Sequence, residues 1–246
     1  MINEKSFVIA TPMYGGVCHV QYVAGLLDTV NICVSEGYKV YFLAVGNDSL
    51  ITRARNELVH KFLASEANYL IFVDADIGFK AKDILKLIDS RKDVICGLYP
   101  KKMIDWSAVE LAAANGHKNL KNYAASYVIN KLHDFEEREN IIEIKHGGTG
   151  FMLIKRSVFE SLAPFVKQYR TSTIKNKHGE TPHLVKEFFA TSITDEDNYH
   201  LSEDYWFCEL WRKYGGKVFA DLSIELTHSG THEFHGNVKV AGLNIL

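Results

Sequence analysis

Over its first hundred residues the chain alternates short apolar, β-prone runs with segments of helical periodicity. Phe7 to Ala10 reads as a strand that ends in an open Thr11-Pro12-Met13-Tyr14-Gly15-Gly16 loop, where proline and paired glycines stop regular structure. Val20, Val23, Leu27, Val30 and Val34 recur at helical spacing and predict a helix from His19 to Ser35, closed by Gly37. Lys39 to Val45 predicts a second strand. In a second helix, between Leu50 and Ser65, Leu50, Ala54, Leu58 and Phe62 line one face while Arg53, Asn56 and His60 share another. Tyr69 to Val73, a helix from Ala81 to Ser90 and the run Asp93 to Leu98 complete a β-α-β-α-β-α-β order. That order predicts an α/β fold, a Rossmann-like and mostly parallel central sheet flanked by helices. Such sheets bind ligands beyond the carboxyl ends of their strands, here the Thr11 loop, the Asn47 region and the Asp74 turn.

Past residue 100 the pattern weakens. Lys101 to Lys145 mixes a helix over Ala108 to Ala114 with polar sequence that resists assignment. Phe151 to Ile154 then reads as a strand and Arg156 to Leu162 as a helix. Gln168 to His200 is long, polar and Thr-rich, the character of a lid or binding segment. A helix from Ser202 to Tyr214, closed by Gly215-Gly216, and strands at Lys217 to Ala220 and Ile224 to His228 follow. With 246 residues, 47% of them hydrophobic and 24% charged, one domain over residues 1–246 buries enough apolar surface to stand without staples. A formal net charge of -2 gives no strong long-range attraction for nucleic acid or anionic membrane. Cys18, Cys33, Cys96 and Cys208 form no CxxC pair and read as reduced structural residues. No signal-peptide core and no apolar run long enough to span a membrane is present, so a cytoplasmic location is expected, in the host cytoplasm for a viral chain.

Three clusters carry chemistry. In Ile71-Phe72-Val73-Asp74-Ala75-Asp76, two carboxylates one residue apart follow an apolar strand. If extended, that segment points both the same way, toward one hard cation such as Mg²⁺ or Mn²⁺. In Ser202-Glu203-Asp204, Ser202 reads as a helix N-cap and the two acids as first-turn residues. One of the acids is positioned to take a proton from an acceptor hydroxyl. His228, at the end of a late strand, suits a borderline cation beside carboxylates, with His232 and His235 as competitors.

The order Arg53-Ala54-Arg55-Asn56-Glu57-Leu58, Phe72 to Ile77, Gly148-Thr149-Gly150-Phe151-Met152, Ser202-Glu203-Asp204 and His228 resembles the landmarks of GT-A fold glycosyltransferases. Cys96 to Lys102 is similar to the small family-2-like glycosyltransferases of viral and bacterial genomes. The resemblance implies a metal-dependent transfer from a nucleoside-diphosphate sugar, a UDP- or GDP-sugar, to a hydroxyl of a glycan, lipid-linked sugar or protein. It implies that residues 1–100 bind the nucleotide sugar and residues 145–246 carry acceptor and catalytic groups. Asp74, Asp76 and His228 would serve the metal, with Asp74 also near the ribose and diphosphate. Thr11, Pro12 and Tyr14 would receive the nucleobase, and Arg53 and Asn56 would face the donor. Gly148 and Gly150 would border the sugar, and Asp204, or Glu203 in its stead, would be the base. Alternatives from other classes are transfer to hydroxylated viral DNA bases, nucleotidyl transfer, or a carbohydrate-binding module with a decayed site. Lys101, Lys102, Lys118 and Lys121 with Trp106 and Tyr123 are the candidate nucleic-acid contacts. Thr11 to Gly16 has no Lys or Arg, which tilts against a nucleotidyltransferase.

Overall fold

The computed structural model describes residues 3–127, 129–132, 140–171, 183–195 and 197–232. Its strands are β1 (Asn3–Met13), β2 (Lys39–Gly46), β3 (Ala67–Val73), β4 (Ile77–Gly78), β5 (Val94–Gly97), β6 (Ile129–Lys131), β7 (Ile141–Gly147), β8 (Phe151–Lys155), β9 (Gln168–Thr171), β10 (His183–Lys186), β11 (Ser192–Ile193), β12 (His200–Leu201), β13 (Val218–Asp221) and β14 (Thr227–His228). Its α-helices are α1 (Val20–Ser35), α2 (Ile51–Leu63), α3 (Ala81–Asp89), α4 (Trp106–Ala114), α5 (Arg156–Leu162) and α6 (Glu203–Lys213).

An eight-stranded sheet runs in the order β2-β1-β3-β8-β5-β13-β7-β6. The β1, β2 and β3 strands are parallel, and β5 is parallel to β13. Strand β8 enters antiparallel between β3 and β5, and β7 lies antiparallel to β13 and β6. The α/β sheet with flanking helices is therefore a mixed one, parallel in its first half and interrupted by two reversed strands. Alternation along β1 divides the core between the two faces. Phe7 and Ile9 join Ile71, Val73 and Leu153 on one side, and Val8 and Ala10 join Leu70, Phe72 and Met152 on the other. Tyr22 and Cys33 of α1 and Ile84 of α3 pack on the first side. Leu58 and Phe62 of α2, Phe159 of α5 and Phe207 of α6 pack on the second.

Three local results differ from the sequence pattern. Helix α1 buries Tyr22, Gly25, Thr29 and Cys33, while Val20, Val23, Leu27, Val30 and Val34 lie exposed on another side. The apolar period therefore locates this helix, but its stripe is not the buried face. In α2 the buried set is Ala54, Arg55, Asn56, Glu57, Leu58, Val59 and Phe62, and Leu50 is an exposed N-cap. Strand β7, in the stretch the pattern leaves unassigned, contributes Ile142 and Ile144 to the core. The polar segment after α5 holds two small antiparallel ladders, β9 with β10 and β11 with β12. Of the cysteines, Cys33, Cys96 and Cys208 are buried free thiols and Cys18 is exposed. Among the described residues no helix is long and apolar enough to cross a membrane.

Candidate active site

Strand β3 ends at Val73, and Asp74-Ala75-Asp76 forms a turn closed by the Ile77 N–H donating to the Asp74 carbonyl at 3.0 Å. Three remote segments hold this turn by backbone hydrogen bonds. The Asp74 N–H donates to Gly150 at 2.9 Å, His19 donates to the Ala75 carbonyl at 2.9 Å, and Ser229 donates to the Asp76 carbonyl at 2.8 Å. The short β4–β14 ladder places His228 opposite Ile77. Because the segment turns and is not extended, its two carboxylates do not converge. Asp74 reaches the Arg55 guanidinium at 3.1 Å, whereas Asp76 lies beside Lys102 and 3.5 Å from His228 Nε2. Among the described residues no three His, Cys, Asp or Glu side chains form a ready metal cage. The expected Asp74, Asp76 and His228 set is thus reduced to a facing pair, with Asp74 turned to an arginine.

That pair has a definite chemistry. His228 Nδ1 lies 2.7 Å from the Pro100 carbonyl, which can only accept, so Nδ1 carries hydrogen while Nε2 faces Asp76. An imidazole nitrogen facing a carboxylate is a donor pair that a hard or borderline divalent ion would fit.

Arg55, which the periodicity does not single out, is central. Its side chain is 3% exposed and joins Asp74 to Glu203, whose Oε1 lies 3.2 Å from Arg55 Nε. Burial opposes its charge, but Asp74 and Glu203 outweigh that and hold its pKa above the ordinary value. Among the described residues its Nη1, the Thr149 hydroxyl and the Trp206 indole N–H are buried without a hydrogen-bond partner. Ser202 does not cap α6 with its side chain. Its hydroxyl donates to Asp204 Oδ1, which also accepts from the Tyr205 N–H at 2.8 Å. Burial raises the Asp204 pKa, the Ser202 hydrogen bond opposes the rise, and the Glu203 charge adds to it. Gly148 and Gly150 exist because Tyr99 lies against them: a Cβ at either would stand 2.3 or 2.7 Å from its phenol. Tyr99 accepts from the Gly150 N–H at 3.2 Å and meets the His228 ring edge-on at 5.3 Å.

A recess of about 400 Å³ opens beside the turn, lined by Pro12, Tyr14, Val45, Asp48, Asp74 and Asp76 among others. Pro12 and Tyr14 of the first loop border this recess. Thr11 does not: it is fully buried and its hydroxyl bonds to Tyr22 at 2.6 Å. Arg53 is outside the lining and grips Asp48 through Nε and Nη2, each donating at 2.7 Å, so it touches the recess only through that carboxylate. Asn56 is buried and clamps the Phe189 backbone, donating at 2.8 Å and accepting at 2.9 Å, and with Arg53 it lines a second recess apart from the Asp74 turn. Lys102 turns to Asp76, and Tyr123 packs against His117 with ring centroids 4.6 Å apart. His232 lies with Lys101, Lys102 and His228 around a smaller recess, and His235 falls outside the described residues.

No family model matches the chain, and no curated protein does. Among solved structures it is similar to the STIV protein A197, at 16% identity over 92% of this chain and 86% of that one, with a TM-score of 0.49. It is similar to GalNAc-T7 solved with UDP, GalNAc and Mn²⁺, at 11% identity over 91% of this chain and 43% of that one, with a TM-score of 0.46. A glycosyltransferase involved in glycosylation of the PBCV-1 major capsid aligns at 10% identity over 63% of each chain, with a TM-score of 0.31. These likenesses are of overall outline.

Proposed function

We propose that this chain is a glycosyltransferase that moves a sugar from a UDP- or GDP-sugar to an acceptor hydroxyl, using a Mn²⁺ or Mg²⁺ ion held by Asp76 and His228. The observation that carries the reading is the Asp76–His228 pair beside the Tyr14 and Asp48 recess at the carboxyl end of β3. When bound, the ion neutralises the charge that grows on the diphosphate as the sugar bond breaks. Pro12, Tyr14 and Val45 offer an apolar wall to the nucleoside, and Asp48, fixed by Arg53, offers it an acceptor. Lys102, which pairs with Asp76 in the free protein, would supply a second positive charge for the diphosphate.

Glu203 is engaged with Arg55, so Asp204 is the better base. Its hydrogen bonds from Ser202 and Tyr205 both fall on Oδ1 and leave Oδ2 for the acceptor proton. In this scheme the acceptor oxygen attacks the anomeric carbon, Asp204 takes its proton, and the bond to the diphosphate breaks with the electron pair leaving on it. Gly148 and Gly150, packed on Tyr99, border the sugar in this scheme. The acceptor class is a glycan, lipid-linked sugar or protein, with a hydroxylated DNA base as the second arm of the test.

The test offers a nucleotide-sugar panel to the protein with a glycan set or with hydroxymethylated DNA, and reads products by mass spectrometry with and without chelator. Sugar transfer that chelator stops, Mn²⁺ restores and Asp76→Ala abolishes is expected. Turnover that survives chelation removes the metal from the reading, and nucleotidyl transfer in place of sugar transfer overturns it.

A further inference from the structure

The outer side of α1 has the wrong composition for a surface that meets only water. Val20, Val23, Leu27, Val30 and Val34 are 74, 38, 59, 41 and 55% exposed. Their spacings of three, four, three and four residues form the narrow stripe of a helix that packs along another helix. The whole helix carries one charged residue, Asp28, and its carboxylate is turned inward to accept from the Ala81 N–H at 2.8 Å. Gly25 also faces inward, its Cα so close to Phe79 that a Cβ would stand 2.6 Å from the Phe79 carbonyl oxygen. These two contacts fix the α3 side of α1, so the stripe lies round the helix toward the β2 edge of the sheet.

The apolar surface continues there. Phe42 is level with Ile9 in the sheet register, which places it on the α1 face, and it is half exposed on a strand with one sheet neighbour. Val17, just before the helix, is exposed as well. A 16-residue helix is about 24 Å long. A stripe of that length with Phe42 and Val17 exposed near it is more than the singly scattered apolar side chains that need no explanation, and marks a contact surface.

We propose that α1 and the β2 edge are a self-association surface, and that two copies of this chain pair α1 against α1 about a twofold axis. The composition selects this occupant. An uncharged stripe gives a charged partner nothing to pair with, and α1 has no Lys or Arg to hold an anionic membrane. A stripe with helix-pairing spacing is complementary to itself. Leu27 is its middle residue and meets its own copy whichever way the two helices run. The association places the second copy beside the Tyr14 to His19 stretch, which lines the recess, so pairing and ligand binding share a border.

The experiment measures mass by light scattering and sedimentation from about 1 to 100 µM for the full chain and for Leu27→Glu. Val23→Gln/Val34→Gln serves as a milder second variant, and melting temperature reports folding. A dimer in the parent, at least tenfold weakened in both variants with unchanged melting, is expected. In a Cys18→Ser background, Leu27→Cys should cross-link to itself under mild oxidation. A mixture of Val20→Cys and Val34→Cys chains should cross-link to each other only if the helices are antiparallel. A parent that stays monomeric at 100 µM overturns the proposal, as does a dimer that Leu27→Glu leaves intact. These readouts need no turnover, so they stand or fall separately from the proposed activity.

Discussion

Arg55 concentrates at one side chain what holds the site together. Removing one partner of a buried ion pair costs about 3–5 kcal/mol, and because Asp74 and Glu203 keep some solvent the loss for Arg55→Met is expected nearer about 2–3 kcal/mol. Arg55→Lys keeps the charge without the two-pronged reach. It should recover most of the melting temperature and little of the turnover, a split that thermal melts beside steady-state kinetics will read. Lys102 poses the opposite case. Its ammonium and a divalent ion compete for Asp76, so Lys102→Met should tighten Mn²⁺ binding without donor by a few-fold, on the order of 1 kcal/mol for a half-exposed pair. The same change should raise the donor KM. Calorimetric titration with Mn²⁺ alone checks the first half, and weaker binding in the variant would refute the competition. Asp74, Asp76, Glu203, Asp204 and His228 were legible as candidates because each lies at the end of an apolar strand or opens a helix. Arg55 was not. It occupies the inward side of an amphipathic helix, where local pattern reserves the place for apolar groups, and its partners at 74 and 203 are known only once the chain has folded.

At the scale of elements, helix positions were readable and helix orientation was not. Apolar spacing in α1 reports a stripe, and nothing in the spacing says whether a sheet or a second helix receives it. In α2 the same ambiguity put Asn56 toward ligand, whereas it ties α2 to the stretch after β10. Both polar groups of the Phe189 backbone depend on that one amide. Asn56→Ala should therefore cost about 1–3 kcal/mol per stranded buried group, several degrees of melting temperature, with the donor KM little changed. A raised KM at unchanged stability would return Asn56 to the ligand side. Strand β7 escaped notice because its neighbours β13 and β6 come from distant or irregular sequence, so its pairing has no local signature.

For the molecule as a whole, acid and base behaviour pull in different directions. Burial raises the folded-state pKa of Asp204 above its unfolded value. Its contribution is therefore present below the ordinary carboxylate range and is lost as pH rises through the raised value, so ionised Asp204 weakens the fold at neutral pH. Asp204→Asn should melt higher than the parent at pH 7, with the gap closing toward pH 4, while turnover drops by about 10²- to 10⁴-fold. In the parent, turnover should fall on the acid side as this carboxylate takes up its proton. An Asn variant that melts lower at pH 7 would mean that the Ser202 and Tyr205 hydrogen bonds outweigh burial. His146 acts the other way. Burial lowers its pKa against the pull of Glu209, so its contribution is present above the usual imidazole range and is lost as pH falls through the lowered value. Finally, the turn at residues 74–76 is tied through its backbone to residues 19, 150 and 229. Contacts between such widely separated parts of a chain close late in folding. A polypeptide still emerging from the ribosome can pair β1, β2 and β3, yet it has no finished turn until Ser229 arrives. Acquisition of cation affinity during refolding should therefore lag behind recovery of helical signal, which makes Mn²⁺ binding a clock for the last step of assembly.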